Sequence, residues 1–524
     1  MAKPQSSWSL MTPMLLFSCF CLLTGDMLFG YDTASFGGIL ANPGFVRQFG
    51  AYNSQKKTYA FDSFHVSLLS SLPFIGKFIG CLVAGPAIEK FGHRSVFFAL
   101  SVVSVIGIIV ELTAAGTGVD PGHFAQFLAG RVIVYISVGL VEVNITTYQA
   151  EIVPAPFRGF VVISLQLFLN AGTVLATGVN KAFANVGDSV GWKTVTGVQF
   201  VFPVLISAFT FFIPSSPRWL LSKDREEEAV VSLRRLRTQA DAFEGRCDAE
   251  VQEIKEALRG NVQKAPWADL IHGNNLRRTM IVVVYYFFQQ TTGQAFVSTY
   301  QTTFYKQNGY ADQSFTYPVV NSCLSLISVI PAMYLVDRFG RRITLMNSFF
   351  FQAFWMFLLA GVGQKPHKTP TEKNTIVAAF MLYAFMYNMG GASIPYLLGS
   401  EIPNAALREK TQSLGTSWNV LWGFATNYSI PYIIAKINFQ VGWVFGSIAL
   451  LALIFTIFVL PETKGASLEE MDAIFEVAFN PFRPNNIHAK SRLGHPQRDG
   501  GLPVPMSKND DIGSKDAWVE AAHV

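Results

Sequence analysis

Charged residues are scarce in this chain. Asp, Glu, Lys and Arg together make up 14% of its 524 residues, whereas a soluble domain carries about a quarter. The net charge of +5 is small for this length and gives no argument for nucleic acid as a partner. Apolar residues take up the difference, since 50% of the chain is hydrophobic and 46 residues are phenylalanine. This composition is typical of a protein that lies in a lipid bilayer.

Cysteine is also rare, and the five cysteines show neither metal-ligand nor disulfide spacing. The sequence has no phosphate-binding Walker loop, no metal-ligand cluster and no nucleophile elbow, so it predicts neither an enzyme nor a cofactor. Any transport would draw on an ion gradient or on the solute itself. A cleavable signal peptide is not evident either, because the apolar residues 14–30 continue without a small-residue cleavage site. These residues are predicted to belong to a first membrane span.

Three unlike charged motifs each occur twice, and the three pairs share nearly the same separation. Glu89 in Gly-Pro-Ala-Ile-Glu-Lys-Phe-Gly-His-Arg corresponds to Asp337 in Leu-Val-Asp-Arg-Phe-Gly-Arg-Arg, 248 residues later. The other pairs are 151–158 with 401–408, 250 residues apart, and 214–218 with 461–464, 247 residues apart. A common separation means that the chain consists of two copies of one unit. A duplicated membrane unit is the architecture of secondary transporters, whose substrate site lies between two halves.

Twelve apolar segments are long enough to be membrane helices, since a bilayer core needs about 20 apolar residues per helix. They are 13–38, 64–88, 95–115, 124–147, 160–181, 195–213, 279–303, 317–336, 343–363, 375–399, 412–435 and 442–460. Backbone groups in lipid have to be satisfied internally, so these segments are predicted to be helices. The predicted fold is therefore an all-α membrane protein of two pseudo-symmetric six-helix bundles.

The long connection after the sixth span divides the chain into six plus six spans. Its residues 222–260 place charged and apolar positions at helical spacing, which predicts amphipathic helices on the cytoplasmic surface. Arg47 is the only arginine on the side opposite the repeated motifs, so the motif loops and both termini are assigned to the cytoplasm. The predicted parts are a cytoplasmic N-terminus 1–12, a first bundle 13–213, cytoplasmic linker helices 214–278, a second bundle 279–460, a cytoplasmic helix 461–480 and a disordered tail 481–524.

Seven short motifs, in order along the chain, resemble those of the sugar porter family of the major facilitator superfamily. They are 29–34 (Phe-Gly-Tyr-Asp-Thr-Ala), 130–131 (Gly-Arg), 148–152 (Tyr-Gln-Ala-Glu-Ile), 214–219 (Pro-Ser-Ser-Pro-Arg-Trp), 289–293 (Gln-Gln-Thr-Thr-Gly), 337–342 (Asp-Arg-Phe-Gly-Arg-Arg) and 461–465 (Pro-Glu-Thr-Lys-Gly). Any one motif is weak, but together they look specific, and they are most similar to the fungal members. The resemblance implies a multi-pass plasma-membrane transporter, active as a monomer, that moves a sugar or sugar-like solute together with a proton by alternating access.

The repeated cytoplasmic loops bring acidic and basic residues to the ends of helices. The acidic residues are Glu89, Glu151, Asp337, Glu401 and Glu462, and the arginines are Arg94, Arg158, Arg341, Arg342 and Arg408. Such groups can form charge-assisted hydrogen bonds between helices. If the bonds exist only while the cytoplasmic side is closed, they form a gate that favours the outward-facing state, as the resemblance implies. The alternative is static anchoring that only sets the topology.

Some charged residues lie inside the predicted spans, where an unpaired charge costs several kcal/mol. Asp32 in the first span and Arg131 in the fourth match the family's proton-coupling pair. The alternative is a permanent salt bridge in a transporter that only facilitates diffusion. Lys77 and Glu142 are candidates to neutralise one another between the second and fourth spans. Glu111 lies near a helix end and is expected to be hydrated.

A sugar needs many hydrogen-bond donors and acceptors, and side-chain amides supply both without charge. Gln166 in the fifth span and Gln289 and Gln290 in the seventh match the family's sugar-binding glutamines, although amides also join helices in membranes. Further candidates are Gln294 in place of a family asparagine, Tyr396 in place of a tryptophan, and Asn419, a family asparagine followed by Val420 rather than tryptophan. The wall from spans ten and eleven is therefore remodelled. A glycoside, a polyol, a cyclic acid or a secondary metabolite would be compatible.

Three other functions remain open besides proton-coupled uptake. They are a facilitative sugar uniporter, an exporter of a small metabolite and a transporter-like nutrient sensor. A sensor of this type carries a long cytoplasmic tail, whereas about 44 residues follow position 480 here. The direction of flux under a pH gradient separates uptake from export.

Overall fold

A computed structural model of the chain describes residues 12–54, 57–115, 122–153, 158–238, 245–259, 266–404 and 407–464, together with Met471 and Phe475. The chain divides into two units, Met1–Asn485 and Asn486–Val524, and all of these residues lie in the first. The predicted N-terminal segment up to residue 11 and the predicted tail 481–524 lie outside the described residues. Of the predicted helix 461–480, residues 461–464 are not helical, whereas Met471 and Phe475 are.

The first half of the chain is helical apart from one short hairpin. Its helices are α1 (Pro13–Ile39), α2 (Pro43–Phe49), α3 (Ser63–Ser71), α4 (Pro73–Phe91), α5 (His93–Thr113), α6 (Phe124–Ile152), α7 (Arg158–Ala182), α8 (Ser189–Val198) and α9 (Val201–Thr210). The antiparallel strands β1 (Ala51–Asn53) and β2 (Thr58–Ala60) form the hairpin. Capping side chains begin several helices: Thr12 accepts a hydrogen bond from the Leu15 N–H, directly before a proline at the first helical position.

The connection between the halves folds into short helices, as its periodicity predicts. These are α10 (Pro217–Ser222), α11 (Glu226–Leu236), α12 (Arg246–Arg259) and a 3-10 turn, Trp267–Ile271. Their apolar faces share a small core of Leu220, Leu221, Ala229, Leu233, Cys247 and Val251. Three glutamates occupy the first turn of α11 and two arginines its last turn, an order that the helix dipole favours.

The second half repeats the helical pattern of the first. Its helices are α13 (Gly273–Thr291), α14 (Gln294–Ser298), α15 (Gln301–Gln307), α16 (Thr316–Phe339), α17 (Arg341–Gly363), α18 (Pro370–Met386), α19 (Ile394–Glu401), α20 (Arg408–Ile437) and α21 (Val441–Val459). Two breaks fall inside predicted spans. Gly293, with φ of 110°, interrupts the seventh span, and a π-helical turn, Tyr387–Gly391, interrupts the tenth.

Nine stretches within the described residues are long and apolar enough to cross a membrane. They contain ten of the twelve predicted spans, because the stretch Lys410–Val459 holds two. The other two, 160–181 and 279–303, coincide with α7 and with the broken series α13 to α15. The structure shows an all-α membrane fold and is consistent with twelve spans.

Apolar cores form within each half and between the halves. Tyr31 and Tyr148 belong to the core of the first half, and Tyr285 belongs to that of the second. A third core joins the halves and includes Phe36 from α1 and Phe296 from α14. Helix α6 also approaches α4 very closely, because a Cβ at Gly139 would lie 2.2 Å from the Lys77 carbonyl oxygen.

Candidate functional site

Amide side chains from the two halves meet at the centre of the molecule. Gln166 and Asn170 on α7 both donate to the Asn388 Oδ1, at 3.1 and 3.0 Å. The Asn388 amide in turn donates to the carbonyl of Ala384, one turn earlier. Asn388 lies in the π-helical turn. The wider turn changes the direction of its side chain relative to that in a regular α-helix. The halves are therefore joined here by uncharged groups that both donate and accept hydrogen bonds.

A second amide cluster lies in the second half. The Gln289 amide donates to the Ala392 carbonyl at 2.5 Å, and its Oε1 accepts from Asn419 at 2.7 Å. Gln290 donates to the Asn419 Oδ1 at 3.1 Å. Gln289 and Asn419 are buried. Three of the predicted sugar-binding residues therefore orient one another.

The other two predicted binding residues have different surroundings. Gln294 lies just after the break at Gly293, and its amide donates to the Ser298 hydroxyl within its own short helix, at 3.2 Å. The Tyr396 hydroxyl reaches across to the first half and donates to Glu142 at 3.1 Å. Glu142 forms an ion pair with Lys77 at 2.9 Å. Lys77 and Glu142 thus pair as the sequence suggested, and Tyr396 adds a contact that sequence alone did not indicate.

A second set of buried charges lies deeper in the first half. Arg131 Nη2 and Asp32 Oδ2 are 4.0 Å apart, and both side chains are almost fully buried. The guanidinium also lies 3.8 Å over the Phe36 ring. Gln199, which the sequence did not single out, donates to the other carboxylate oxygen of Asp32 at 3.0 Å. Asp32 is therefore held between an amide and a loosely placed cation rather than in a tight bidentate pair.

The expectation that Glu111 is hydrated is wrong. Its side chain is 1% exposed, and its carboxylate lies within electrostatic range of Arg131. The reason is the close packing of α5 against α6 through glycines. A Cβ at Gly130 would lie 2.7 Å from Glu111 Cγ, so the glycine lets α6 cover the glutamate although the helix end is near.

The repeated charged motifs of the second half form one connected cluster. Arg341 donates to Glu401 at 2.8 Å and lies 3.4 Å from Asp337. Glu401 also accepts from the Thr463 hydroxyl at 2.5 Å. Glu462 caps α17 by accepting from the first two backbone N–H groups, at 2.8 and 3.1 Å. Arg342 donates to the Ile457 carbonyl at 2.6 Å.

The first half has a similar arrangement, with a histidine in place of the arginine. His93, 248 residues before Arg341, places Nε2 3.1 Å from Glu151, which also accepts from the Ser216 hydroxyl. The predicted pairing of Arg94 with an acidic residue is corrected. Arg94 instead donates to the carbonyls of Thr210 and Phe211. These contacts are equivalent to the bond from Arg342 to the Ile457 carbonyl. The reason is that Arg94 corresponds to Arg342 in the repeat, whereas His93 corresponds to Arg341.

The remaining gate residues are placed as follows. Glu89 is exposed, and its backbone carbonyl accepts from the Trp219 indole at 3.2 Å. Arg408 is half-buried in the first turn of α20, and the Arg158 side chain lies outside the described residues. Both clusters described above join helices of the same half. They do not by themselves show a gate.

Direct contacts join the two halves at the end opposite these motifs. A Cβ at Gly37 would lie 2.5 Å from the Thr299 carbonyl oxygen. Lys306 donates to the Ala41 carbonyl at 2.6 Å, and Ser67 donates to the Tyr428 carbonyl at 2.7 Å. The two halves are therefore in direct contact at this end.

No group of three or more His, Cys, Asp or Glu side chains that could hold a metal occurs in the described parts of the chain. Asn388 and His93 were both detectable in the sequence, although neither was singled out. Asn388 is an amide inside an apolar segment without charge, and His93 aligns with Arg341 in the repeat. Asn170 and Gln199 carry the same signal as Asn388, since each is an uncharged amide inside a predicted apolar span.

Comparison with known proteins gives a consistent result over nearly the whole chain. The family model described as "Sugar (and other) transporter" matches residues 18–475. The chain is 28% identical to the major facilitator-type transporter ecdD of Aspergillus rugulosus, over 90% of this chain and 89% of the relative. It is 28% identical to the high-affinity hexose transporter HXT6 of Saccharomyces cerevisiae, over 91% and 84%. The proton:xylose symporter XylE, solved with 6-bromo-6-deoxy-D-glucose, has the same fold, with a TM-score of 0.72 at 24% identity over 88% of this chain and 99% of that chain.

Proposed function

The chain belongs to the sugar porter family of the major facilitator superfamily, and on this premise we propose that it carries a sugar or sugar-like solute into the cell together with a proton, by alternating access. The observation that supports this most directly is the junction of Gln166 and Asn388, where amides from opposite halves share hydrogen bonds. A solute bound there would contact both halves at once. Movement of one half against the other would then depend on occupancy.

The proposed solute site consists of Gln166, Gln289, Gln290, Asn388 and Asn419. These amides bond to one another, so the buried Gln289, Asn388 and Asn419 and the half-buried Gln166 and Gln290 all have hydrogen-bond partners. Hydroxyl groups of a sugar can replace these bonds one for one, because each hydroxyl donates one hydrogen bond and accepts others. The absence of a charged group within the two amide clusters favours a neutral, polyhydroxylated solute.

Two further candidates are assigned to the rim of this site. Tyr396 lies next to the amide clusters through the ring of Tyr286, whose centroid is 5.4 Å from its own. It offers a flat surface for the C–H face of a sugar. Gln294 follows the break in the seventh span, so it would contact solute only when that segment moves.

Proton coupling is proposed for Asp32, with Arg131 as its partner. Their separation of 4.0 Å leaves room for either a closer pair or a neutral, protonated carboxyl. Because charges interact strongly where water is excluded, the balance between the ion pair and the protonated carboxyl is sensitive to small displacements of Asp32 relative to Arg131. The structural neighbour XylE is a proton:xylose symporter, which supports the proposal of proton coupling.

The Arg341–Glu401 and His93–Glu151 clusters are proposed as the cytoplasmic gate. Each clamps the end of a helix to the motif that follows the sixth or the twelfth span. When the two halves move against each other, each cluster would move with its own half as a rigid unit. The clusters would therefore stiffen the helix ends and would not connect the two halves directly. The motif loops and both termini are assigned to the cytoplasm, the protein to the plasma membrane, and the functional unit to the monomer.

Uptake of radiolabelled sugars and polyols into a transport-deficient host, with and without a protonophore, tests this function. We expect saturable uptake of at least one neutral polyhydroxylated solute, and loss of accumulation when the proton gradient is dissipated. Uptake that ignores the protonophore would assign the protein to facilitated diffusion. Efflux of a preloaded solute driven by an inward proton gradient would assign it to export.

A further inference from the structure

The first half buries more acid than base at membrane depth. The buried or nearly buried charged side chains of α1, α4, α5 and α6 in the described residues are Asp26, Asp32, Glu111 and Glu142 against Lys77 and Arg131. They form two groups, each with two carboxylates and one cation. Arg131 serves Asp32 and Glu111, as described above. The second group, around Lys77, has no role in the proposed function.

The Lys77 group is held together by three helices. Lys77 on α4 lies 2.9 Å from Glu142 on α6, and only 3% of the lysine side chain is exposed. The Lys77 ammonium also lies 4.5 Å from the centre of the Phe29 ring on α1. Asp26 stands on the same face of α1, one turn before Phe29, because residues three apart are neighbours on a helix. Gly139 lets the turn of α4 that carries Lys77 press against α6.

Asp26 is buried beside this ion pair without a counter-charge of its own. Its side chain is 8% exposed, and its Oδ2 is fully buried with no hydrogen-bond partner in the described part of the chain. Its neighbour Gly25 packs against α6 directly before Glu142, because a Cβ at Gly25 would lie 3.1 Å from Val141 Cγ1. Asp26 and Glu142 therefore lie on touching segments of α1 and α6, where their negative charges repel. The cluster therefore carries one net negative charge if every group is ionised. Holding such a charge away from water is costly, and one additional proton removes it.

We propose that Asp26, Glu142 and Lys77 together bind one proton, at a site separate from Asp32 and Arg131. Asp26 and Asp32 are six residues apart on α1, which corresponds to about 9 Å along the helix axis. The two carboxylates therefore cannot share one proton. Because α1 begins on the side assigned to the cytoplasm, the new site lies nearer to that side and would exchange its proton there.

Tyr396 makes this site responsive to the second half. Its hydroxyl donates to Glu142 Oε1 at 3.1 Å and so offsets part of the negative charge of the cluster. When the halves separate, the cluster loses this donor and its negative charge is less well compensated. By reciprocity, a proton on the cluster weakens the contact between the halves. This linkage depends on the proposed movement of the halves, whereas the proton site itself does not.

The other titratable groups that face the cluster are few. Cys81 on α4 lies near both Glu142 and Lys77, and Tyr286 on α13 faces Glu142 and Tyr396. They are a neutral thiol and a neutral phenol in the physiological range. The charge balance of the cluster is therefore set by its two carboxylates and its lysine.

Infrared difference spectroscopy of the purified full-length protein, without solute, tests the site directly. We expect a C=O band of a protonated carboxyl group at pH 7 in the wild type that is missing in Asp26→Asn. Asp62→Asn, an exposed carboxylate outside the spans, serves as the matched control and should keep the band. If Asp26→Asn does not fold, Glu142→Gln is measured instead. A C=O spectrum of the folded variant that has lost no component relative to the wild type would overturn the proposal.

Tyr396→Phe tests the linkage, because it removes only the hydroxyl that Glu142 accepts. We expect the pH midpoint of the band to rise by about one unit, since the ionised carboxylate loses a charge-assisted hydrogen bond. An unchanged midpoint would show that the hydrogen bond from Tyr396 does not couple protonation of this site to the position of the second half. Neither measurement uses a solute, so a failure here is distinct from a failure of proton-coupled sugar uptake.

Discussion

Gln289 provides the sharpest test of the proposed solute site. Its side chain makes two hydrogen bonds, to the Ala392 carbonyl at 2.5 Å and from Asn419 at 2.7 Å, and it is buried. Gln289→Ala removes one group that a solute hydroxyl would contact. It also leaves Asn419 without the acceptor that orients it. The variant therefore loses a solute bond and the preorganisation of a neighbour.

The expected loss of apparent affinity follows from the free energy that such hydrogen bonds contribute. A net hydrogen bond contributes about 0.5–1.5 kcal/mol, and the loss of a partner for a buried amide costs a further ~1 kcal/mol or more. Part of this cost is present with and without solute and cancels. A remainder of about 1.4 kcal/mol corresponds to a tenfold weaker apparent affinity. We expect a tenfold higher half-saturating concentration for the solute that the uptake screen identifies.

Gln126→Ala is the matched control for this experiment. Gln126 has the same side chain, but it lies outside the proposed site and donates to the Val110 carbonyl at 3.3 Å and the Thr113 hydroxyl at 2.9 Å in the first half. We expect its apparent affinity to change by less than about threefold. Concentration-dependent uptake in proteoliposomes gives both values, and thermal unfolding of the purified variants verifies the fold. Equal losses in the two variants, or no loss in Gln289→Ala, would refute the reasoning.

Three further predictions concern coupling, the gate and the solute wall. Asp32→Asn should abolish accumulation against a gradient while solute exchange continues, and a variant that still concentrates solute would exclude Asp32 as the proton carrier. Arg341→Ala removes the 2.8 Å bond to Glu401 and should lower the maximal transport rate about tenfold with little change in apparent affinity; an affinity loss of the same size would place Arg341 in solute binding instead. Tyr396→Trp removes the hydroxyl bond to Glu142 and enlarges the flat wall, so competition assays should show a shift in preference toward simple hexoses. An unchanged ranking of competing solutes would mean that this wall does not set selectivity.

The two cytoplasmic clusters show what an internal repeat predicts and what it leaves open. The common separation of the motifs identified equivalent positions, and the structure gives equivalent positions equivalent contacts. Arg342 and Arg94 each bind a carbonyl near the end of the last span in their half. The exchange of arginine for histidine at position 93 keeps the contact with the equivalent glutamate, Glu151 in the first half and Glu401 in the second.

The sequence by itself determined the fold and the family. Apolar length, proline at helix starts and capping residues are local properties, so they predict helices without knowledge of neighbours. The separation of about 250 residues between motifs is likewise readable from the chain alone. The glutamines of the proposed site were predicted from the resemblance to the family's motifs, and an uncharged amide in an apolar segment agrees with that prediction.

The tertiary structure decided which side chains meet. Burial of Glu111 depends on a glycine of another helix, and the bond from Tyr396 to Glu142 joins residues 254 positions apart. Asn388 reaches Gln166 from a π-helical turn. The unpartnered oxygen of Asp26 likewise appears only when three helices are packed together. Such contacts depend on which helices lie side by side and how closely, and helical periodicity in one segment carries no information about the distance to another.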